Sequence, residues 1–487
     1  MSVAASLLRG FAWFSIWYFA VLNTICLMII ATAAAGVTGA RRQAAFAGLD
    51  DIFASPLAPP ISVVVGVRNL AGLIVDSARG LLNLRYPEFE VIIVDDGSTD
   101  GTFARLAREF RLVEVDKVLR SGLPAAGRVR SVHAPATGER LLVIRKDSVG
   151  HPADAVHTGV NAAQYPLICR VDADTYLDED ALLRVAKPVI EDPARTVAAW
   201  AAVRVANGCE LRAGRVVRPR VPGGWLLPIQ AAEYLRAFLL GRAGWSQARG
   251  MLFMSGGFGV CRREVYELAG RSGLTTGTDG PELTTSTYRW LPGRPHRIAF
   301  VPEPCCWTVV PARYRPLAQQ RARWAGSLGR ALWRHRVMLF NPRYRRAGLL
   351  ALPFCLAFDL ISAVVEAAAW LVLVTGWAAG IIGPAAVGLF AAAALGYGAF
   401  LTLVSAAVEE LTYHRYRRWR DFALLAYAAV AENIGFRQLH AWWRLRGLAA
   451  ALLHREVTRL GRPGGDRPGR GQAPVRAPAA AELLCFA

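Results

Sequence analysis

Three long apolar stretches constrain this chain more than any other feature. Phe11 to Val37 carries no charge, Leu349 to Trp377 carries only Asp359 and Glu366, and Ala378 to Val408 again carries none. Each exceeds the roughly 20 residues a helix needs to cross a hydrocarbon layer. They explain why the 487 residues are 54% hydrophobic and only 19% charged. A cleaved leader has an apolar core of about 7–15 residues, so the first stretch, followed by Arg41 and Arg42, is read as a retained anchor.

The formal charge of +20 is almost wholly arginine, since the lysines are Lys117, Lys146 and Lys187. The arginines crowd beside the apolar stretches: Arg334, Arg336, Arg343, Arg345 and Arg346 before the second, Arg415, Arg417, Arg418 and Arg420 after the third. That is the positive-inside pattern, which places the middle region and the C-terminus in the cytoplasm and the N-terminus outside. The aromatic-rich basic strands of a single-strand nucleic-acid binder are absent, so nucleic acid is not expected as a partner. The cysteines show no C-x-x-C spacing and read as reduced, buried small residues. Arg- and Ala-rich, Lys-poor usage points to a bacterial source, hence to a multi-pass protein of the inner membrane.

Between the first and second stretches lie about 300 residues, enough for one large α/β domain. Ile61 to Val67 and Val91 to Val94 are short β-branched runs, and Leu70 to Leu84 between them has helical spacing, which predicts a βαβ unit with a parallel strand pair. Asp95-Asp96-Gly97-Ser98-Thr99-Asp100 is a run of turn formers ahead of a helix from about Gly101 to Phe110. Leu119 to Glu139, rich in Gly, Pro and Arg, reads as a surface insertion. Leu167 to Val171 predicts a third strand that ends in Asp172-Ala173-Asp174. Carboxylates at the C-terminal ends of strands stand where open α/β sheets bind ligands.

Two carboxylates spaced as in Asp172-x-Asp174 suit a hard cation such as Mg²⁺ or Mn²⁺, of the kind that neutralises a diphosphate leaving group. The same pattern also occurs in ordinary exposed turns. Asp279, in Thr278-Asp279-Gly280-Pro281-Glu282, is the best-placed base for an acceptor hydroxyl, and it is equally a turn aspartate. Gln320-x-x-Arg323-Trp324 combines an amide, a guanidinium for phosphate oxygens and an indole face for a sugar ring; an amphipathic helix on a membrane surface has the same composition.

Taken in order, Ile61-Ser-Val-Val-Val65, Val94-Asp-Asp-Gly-Ser-Thr-Asp100, Asp172-Ala-Asp174, Ser255-Gly-Gly-Phe-Gly259, Thr278-Asp279 and Gln320-Arg-Ala-Arg-Trp324 resemble family 2 glycosyltransferases. The resemblance is to the membrane-integrated branch with the poly-N-acetylglucosamine, cellulose and hyaluronan synthases. It implies an α/β GT-A (Rossmann-like) cytosolic domain plus α-helical transmembrane segments. It further implies an inverting transfer from a UDP-sugar to a growing polysaccharide, with Mg²⁺ or Mn²⁺ as cofactor. Residue by residue, Asp95 and Asp96 would lie beside the uridine, Asp172 and Asp174 would hold ribose, diphosphate and metal, and Asp279 would be the general base. Arg323 would line the diphosphate, while Gln320, Trp324 and Gly257 would face the acceptor end. The chain departs from the family pattern at Asn69-Leu70, where Asn-Glu is usual, at Gly150-His151-Pro152, which lacks a lysine, and at Thr278-Asp279, where Glu-Asp is usual and one extra residue precedes Glu282-Leu283. Single-sugar transfer to a membrane lipid, or a silent scaffold of a polysaccharide-secretion complex, are the competing readings.

The expected organisation is an anchor at 1–42, a GT-A domain at 56–315, an amphipathic interface helix at 316–346, two spans at 347–410, an interfacial helical region at 411–458 and a disordered tail at 459–487. Asp359 and Glu366 stand about two helical turns apart on one face of the second span. Charges there must face protein, a polar cavity or arginines, so they mark either a path for the acceptor or a structural ion pair. So few spans leave export dependent on a secretion partner or a homo-oligomer.

Overall fold

A computed structural model describes residues 3–43, 48–55, 58–212, 214–237, 242–247, 250–251, 257–270, 280–291, 296–413, 416 and 418–453. The expected base Asp279, Ser255 and Gly256 of the glycine-rich turn, and the tail after 453 lie outside these residues.

The strands run in chain order β1 (Ile61–Val67), β2 (Phe89–Asp96), β3 (Leu112–Glu114), β4 (Val129–Pro135), β5 (Leu141–Lys146), β6 (Leu167–Val171), β7 (Thr175–Leu177), β8 (Thr196–Val205), β9 (Glu210–Arg212), β10 (Arg215–Arg218), β11 (Phe258–Arg262) and β12 (Arg297–Thr308). Ten of them form one sheet in the order β3-β4-β5-β2-β1-β6-β11-β8-β12-β7, and β9 pairs with β10 in a separate hairpin. The centre, β5-β2-β1-β6, is parallel. Its β-branched runs are buried on both faces, as parallel strands covered by helices must be; β1 and β6 are buried throughout.

Two expectations need correcting. The 119–139 segment is not wholly a surface insertion, because Val129–Pro135 is β4, antiparallel to β5. Its burial does not alternate, with Val132 and Pro135 buried and Arg130 exposed, so no period-2 pattern marks it. The Gly101–Phe110 helix forms as Thr102–Glu109, whereas the Leu70–Leu84 helix shortens to Ile74–Leu82. Asn69, at φ +55, turns the chain out of β1 before that helix begins.

Among the described residues three helices are long and apolar enough to cross a membrane: Val3–Gly36, Ala347–Ala378 and Pro384–Tyr413. The last starts later than the apolar stretch does, because Ile381 and Ile382 turn back to bond the carbonyl of Gly376. Both C-terminal spans contain π-helical turns, at Leu356–Ile361 and Ala392–Gly396. Such turns free carbonyls that apolar surroundings cannot satisfy. Tyr18 of the N-terminal helix donates to the Ala357 carbonyl at 2.5 Å, and Asn23 donates to the Ala393 carbonyl at 2.8 Å. Polar side chains on the N-terminal helix thus fasten it to both other long apolar helices.

The helix Tyr314–Arg334 lies against Arg437–Leu452, and small residues set how closely they approach. A Cβ on Gly447 would sit 2.1 Å from the Ala322 carbonyl oxygen, and one on Gly329 would sit 2.8 Å from Leu448. The expected interfacial region is two helices, Trp419–Ala431 and Arg437–Leu452, joined at a kink where Ile434 and Gly435 leave helical geometry. The 13 residues of Trp419–Ala431 rise only about 20 Å, too short to span.

Candidate active site

The site begins at the carboxyl ends of the parallel strands. At the end of β2, the Ser98 amide donates to Asp95 Oδ1 at 3.0 Å and the Ser148 hydroxyl donates to Asp96 Oδ2 at 2.9 Å. Both aspartates are buried. Among the described residues Asp96 Oδ1 has no hydrogen-bond partner, which suits it to accept from a ligand N–H. Burial pushes the Asp96 carboxyl up, opposed by the Ser148 bond and the Lys146 ammonium. The turn after β1 is stitched to this one: Asn69 N–H donates to Ser98 Oγ, and Thr99 N–H donates to Asn69 Oδ1 at 2.7 Å. Asn69 thus ties the turn after β1 to the turn after β2 by its backbone and side-chain amides.

At the end of β6, Asp172 and Asp174 turn into a cleft beneath β12. The Asp172 amide donates to the Gly257 carbonyl at 3.2 Å, and Thr308 Oγ1 donates to Asp174 Oδ2 at 3.1 Å. Arg170 lies 3.5 Å from Asp172 Oδ1. Burial raises Asp172 to about 8 against the opposing pull of Arg170, and raises Asp174 to about 6 against the Thr308 bond. Two adjacent carboxyls form a hard oxygen donor pair. Among the described residues no group of three or more His, Cys, Asp or Glu side chains could enclose an ion. An ion held here would keep positions open for phosphate or water.

Asp172, Asp174, Gly257, Gln320 and Trp324 all line one cavity of about 540 Å³. Asp95 and Asp96 are not in that lining; β1 separates their strand from β6. Arg323 is not in it either. The guanidinium that faces the cavity is that of Arg321, which bonds Glu233 Oε2 at 2.7 Å and lies 4.5 Å above the Trp324 ring. Helical spacing carries this signal: Leu317, Arg321, Trp324 and Leu328 follow the three-and-four rhythm of one face, and Arg323 does not.

The cavity continues between the apolar helices, where Asp359 and Glu366 line it together with Arg437 and Arg444. Arg437 Nε lies 3.0 Å from Glu366, and Arg444 lies 3.8 Å from Asp359. Arg236 pairs with Glu432, whose carboxylate also accepts from Thr402 at 2.7 Å. The partners of the span carboxylates come from the Arg437–Leu452 helix, which no local pattern around Asp359 reveals.

A model of the glycosyltransferase like family 2 matches residues 59–327. The chain belongs to that family. Its sheet is the mixed α/β sheet of the family's GT-A fold. Among curated family 2 proteins it is similar to poly-beta-1,6-N-acetyl-D-glucosamine synthases: 23% identical over 265 residues to one from Staphylococcus epidermidis, covering 54% of this chain and 53% of the relative. It is 25% identical over 267 residues to one from Staphylococcus aureus, with the same shares covered. The chain spans about half the length of the curated relatives it matches. A solved mannosyltransferase from Pyrobaculum calidifontis, in complex with GDP-mannose and Mn²⁺, aligns over 85% of this chain and 99% of its own at 20% identity and a TM-score of 0.47.

Proposed function

We propose that this family 2 protein is a membrane-bound inverting glycosyltransferase that moves a sugar from a UDP-sugar to a growing polysaccharide, with its GT-A domain on the cytoplasmic side of a bacterial inner membrane. The observation that carries this reading is the single cavity that joins the Asp172–Asp174 pair to the membrane spans. An elongating product would pass along it from the cytosolic domain towards the spans.

Asp95 and Asp96 would receive the nucleoside, with Asp96 Oδ1 accepting from the base. Asp172 and Asp174 would hold Mg²⁺ or Mn²⁺; two carboxyls raised by burial beside a single arginine are the electrostatic state that such an ion relieves. When bound, the ion would neutralise charge on the departing diphosphate. The Trp324 ring and the Gln320 amide would orient the acceptor sugar, and Arg321, fixed by Glu233, would keep that ring in place. Asp279 would take the acceptor proton.

Purified full-length protein, screened across UDP-sugars with Mn²⁺, tests the proposal. A ladder or long polymer is expected, and a single glycolipid product would instead assign lipid transfer. Asp279→Asn should abolish transfer while leaving membrane insertion intact; full activity in that variant removes Asp279 as base. No thermal stabilisation by UDP and Mn²⁺, together with no product, would identify a silent scaffold.

A further inference from the structure

The segment 330–346 carries six arginines, Arg330, Arg334, Arg336, Arg343, Arg345 and Arg346, and no acidic residue. It runs directly into the span Ala347–Ala378. Between the arginines stand Trp333, 67% exposed, Val337 and Phe340, 66% exposed, with Leu349 and Leu350 exposed just beyond. Exposed large apolar side chains set among arginines at the cytosolic end of a span match the headgroup layer of a bilayer, apolar below and anionic above.

The segment is shaped rather than loose. Phe340 donates its amide to the Gly348 carbonyl at 3.0 Å, folding the turn onto the first residues of the span. A Cβ on Gly348 would lie 2.5 Å from the Met338 carbonyl oxygen, so only glycine allows this seat. Phe340 and Arg345 adopt φ +56 and +50, a region L residues avoid. A buried Met338 pins the turn from inside while Phe340 is held outward.

The same segment grips the catalytic domain. His335 Nε2 lies 3.0 Å from Glu282 Oε1, and Arg334 lies 3.5 Å from the same oxygen. Arg289 donates to the Arg334 carbonyl at 3.3 Å. Glu282 and His335 are both buried, and Glu282 sits in the first turn of the helix Gly280–Trp290.

The geometry points to a recognition surface for anionic phospholipid headgroups at 330–346, with Arg343, Arg345 and Arg346 as its charge centre. Through His335 and Glu282, lipid bound there steadies the Gly280–Trp290 helix. This holds whether or not the transferase reading does, because its readouts are binding and exchange rather than activity.

The test uses detergent-solubilised full-length protein with dioleoylphosphatidylglycerol or dioleoylphosphatidylcholine, scored by native mass spectrometry. Phosphatidylglycerol should be retained in preference. Replacing Arg343, Arg345 and Arg346 by Gln should weaken retention by about five-fold per arginine, on the order of a hundred-fold together. The three Arg→Lys replacements, which keep the charge, should retain it. Equal retention of both lipids, or undiminished retention in the Gln variant, overturns the headgroup site. Phosphatidylglycerol should also slow hydrogen exchange of amides 282–291 in the wild type, and His335→Ala should bind the lipid but lose that protection. Exchange that ignores the lipid in the wild type, or protection that survives in His335→Ala, overturns the coupling.

Discussion

The two ends of the cavity compensate their carboxylates unequally. At one end Asp174 is buried and Asp172 nearly so, with one arginine, Arg170, 3.5 Å from Asp172. At the membrane end, Glu366 faces Arg437, Asp359 faces Arg444 and Glu432 faces Arg236. A buried carboxylate costs several kcal/mol unless a cation compensates it. Three carboxylates at the membrane end have three arginines, whereas Asp172 and Asp174 have the single ion pair to Arg170 among the described residues.

The sharpest way to break this contrast is at Asp174. Asp174→Asn should lower transfer by about 10³-fold and erase the stabilisation by Mn²⁺ seen in a thermal shift assay. A variant that keeps both would make the pair an ordinary buried turn.

At the other end, Glu366→Gln leaves Arg437 without its carboxylate and should cost about 3 kcal/mol of stability, measured by thermal unfolding in detergent. Adding Arg437→Gln should recover most of that loss. If Asp359→Asn with Glu366→Gln leaves product length and export normal, the pairs are structural and the cavity is not an export path.

Between the two ends, Gly447→Ala would push the Arg437–Leu452 helix off the Ala322 carbonyl. Overpacking of this kind costs about 1–3 kcal/mol. Since the same helix carries Arg437 and Arg444, pairing at the membrane end should loosen while Mn²⁺ binding persists. Equal loss of both in a calorimetric titration would mean that the ends are not separable.

The smallest effect is in pH. Burial raises Asp172 to about 8 and Asp174 to about 6, above the ordinary 3.8. Groups whose folded pKa is raised hold protons more tightly when folded, so metal-free stability should fall as pH rises from about 4 to about 8. Cation binding needs the deprotonated pair, so Mn²⁺ affinity should rise across the same window, by up to about tenfold per unit for each proton released. A flat profile for both would show that the pair carries no such strain.

Much of this was legible in advance for a local reason. Alternating β-branched runs, turn formers after β2 and uninterrupted apolar stretches are properties of a few neighbouring residues, and local sterics and burial decide them. Asp95, Asp96, Asp172 and Asp174 stand at strand ends, which can be read one strand at a time. That Arg321 rather than Arg323 lines the cavity depends on the helix face, which a motif read as a string does not give. Lys146, which pairs with Asp154 in the core beside Asp96, had no local signature either, since a lone lysine after an apolar run usually points to water.

By itself, then, the sequence determined that the chain is an α/β domain tied to three apolar helices, with carboxylates at the ends of parallel strands. Only the tertiary structure decided which carboxylates have cations. Glu366 and Arg437 are 71 positions apart, Arg236 and Glu432 196. A buried charge is compensated only within a few ångströms, and proximity of that kind exists only once the helices have packed.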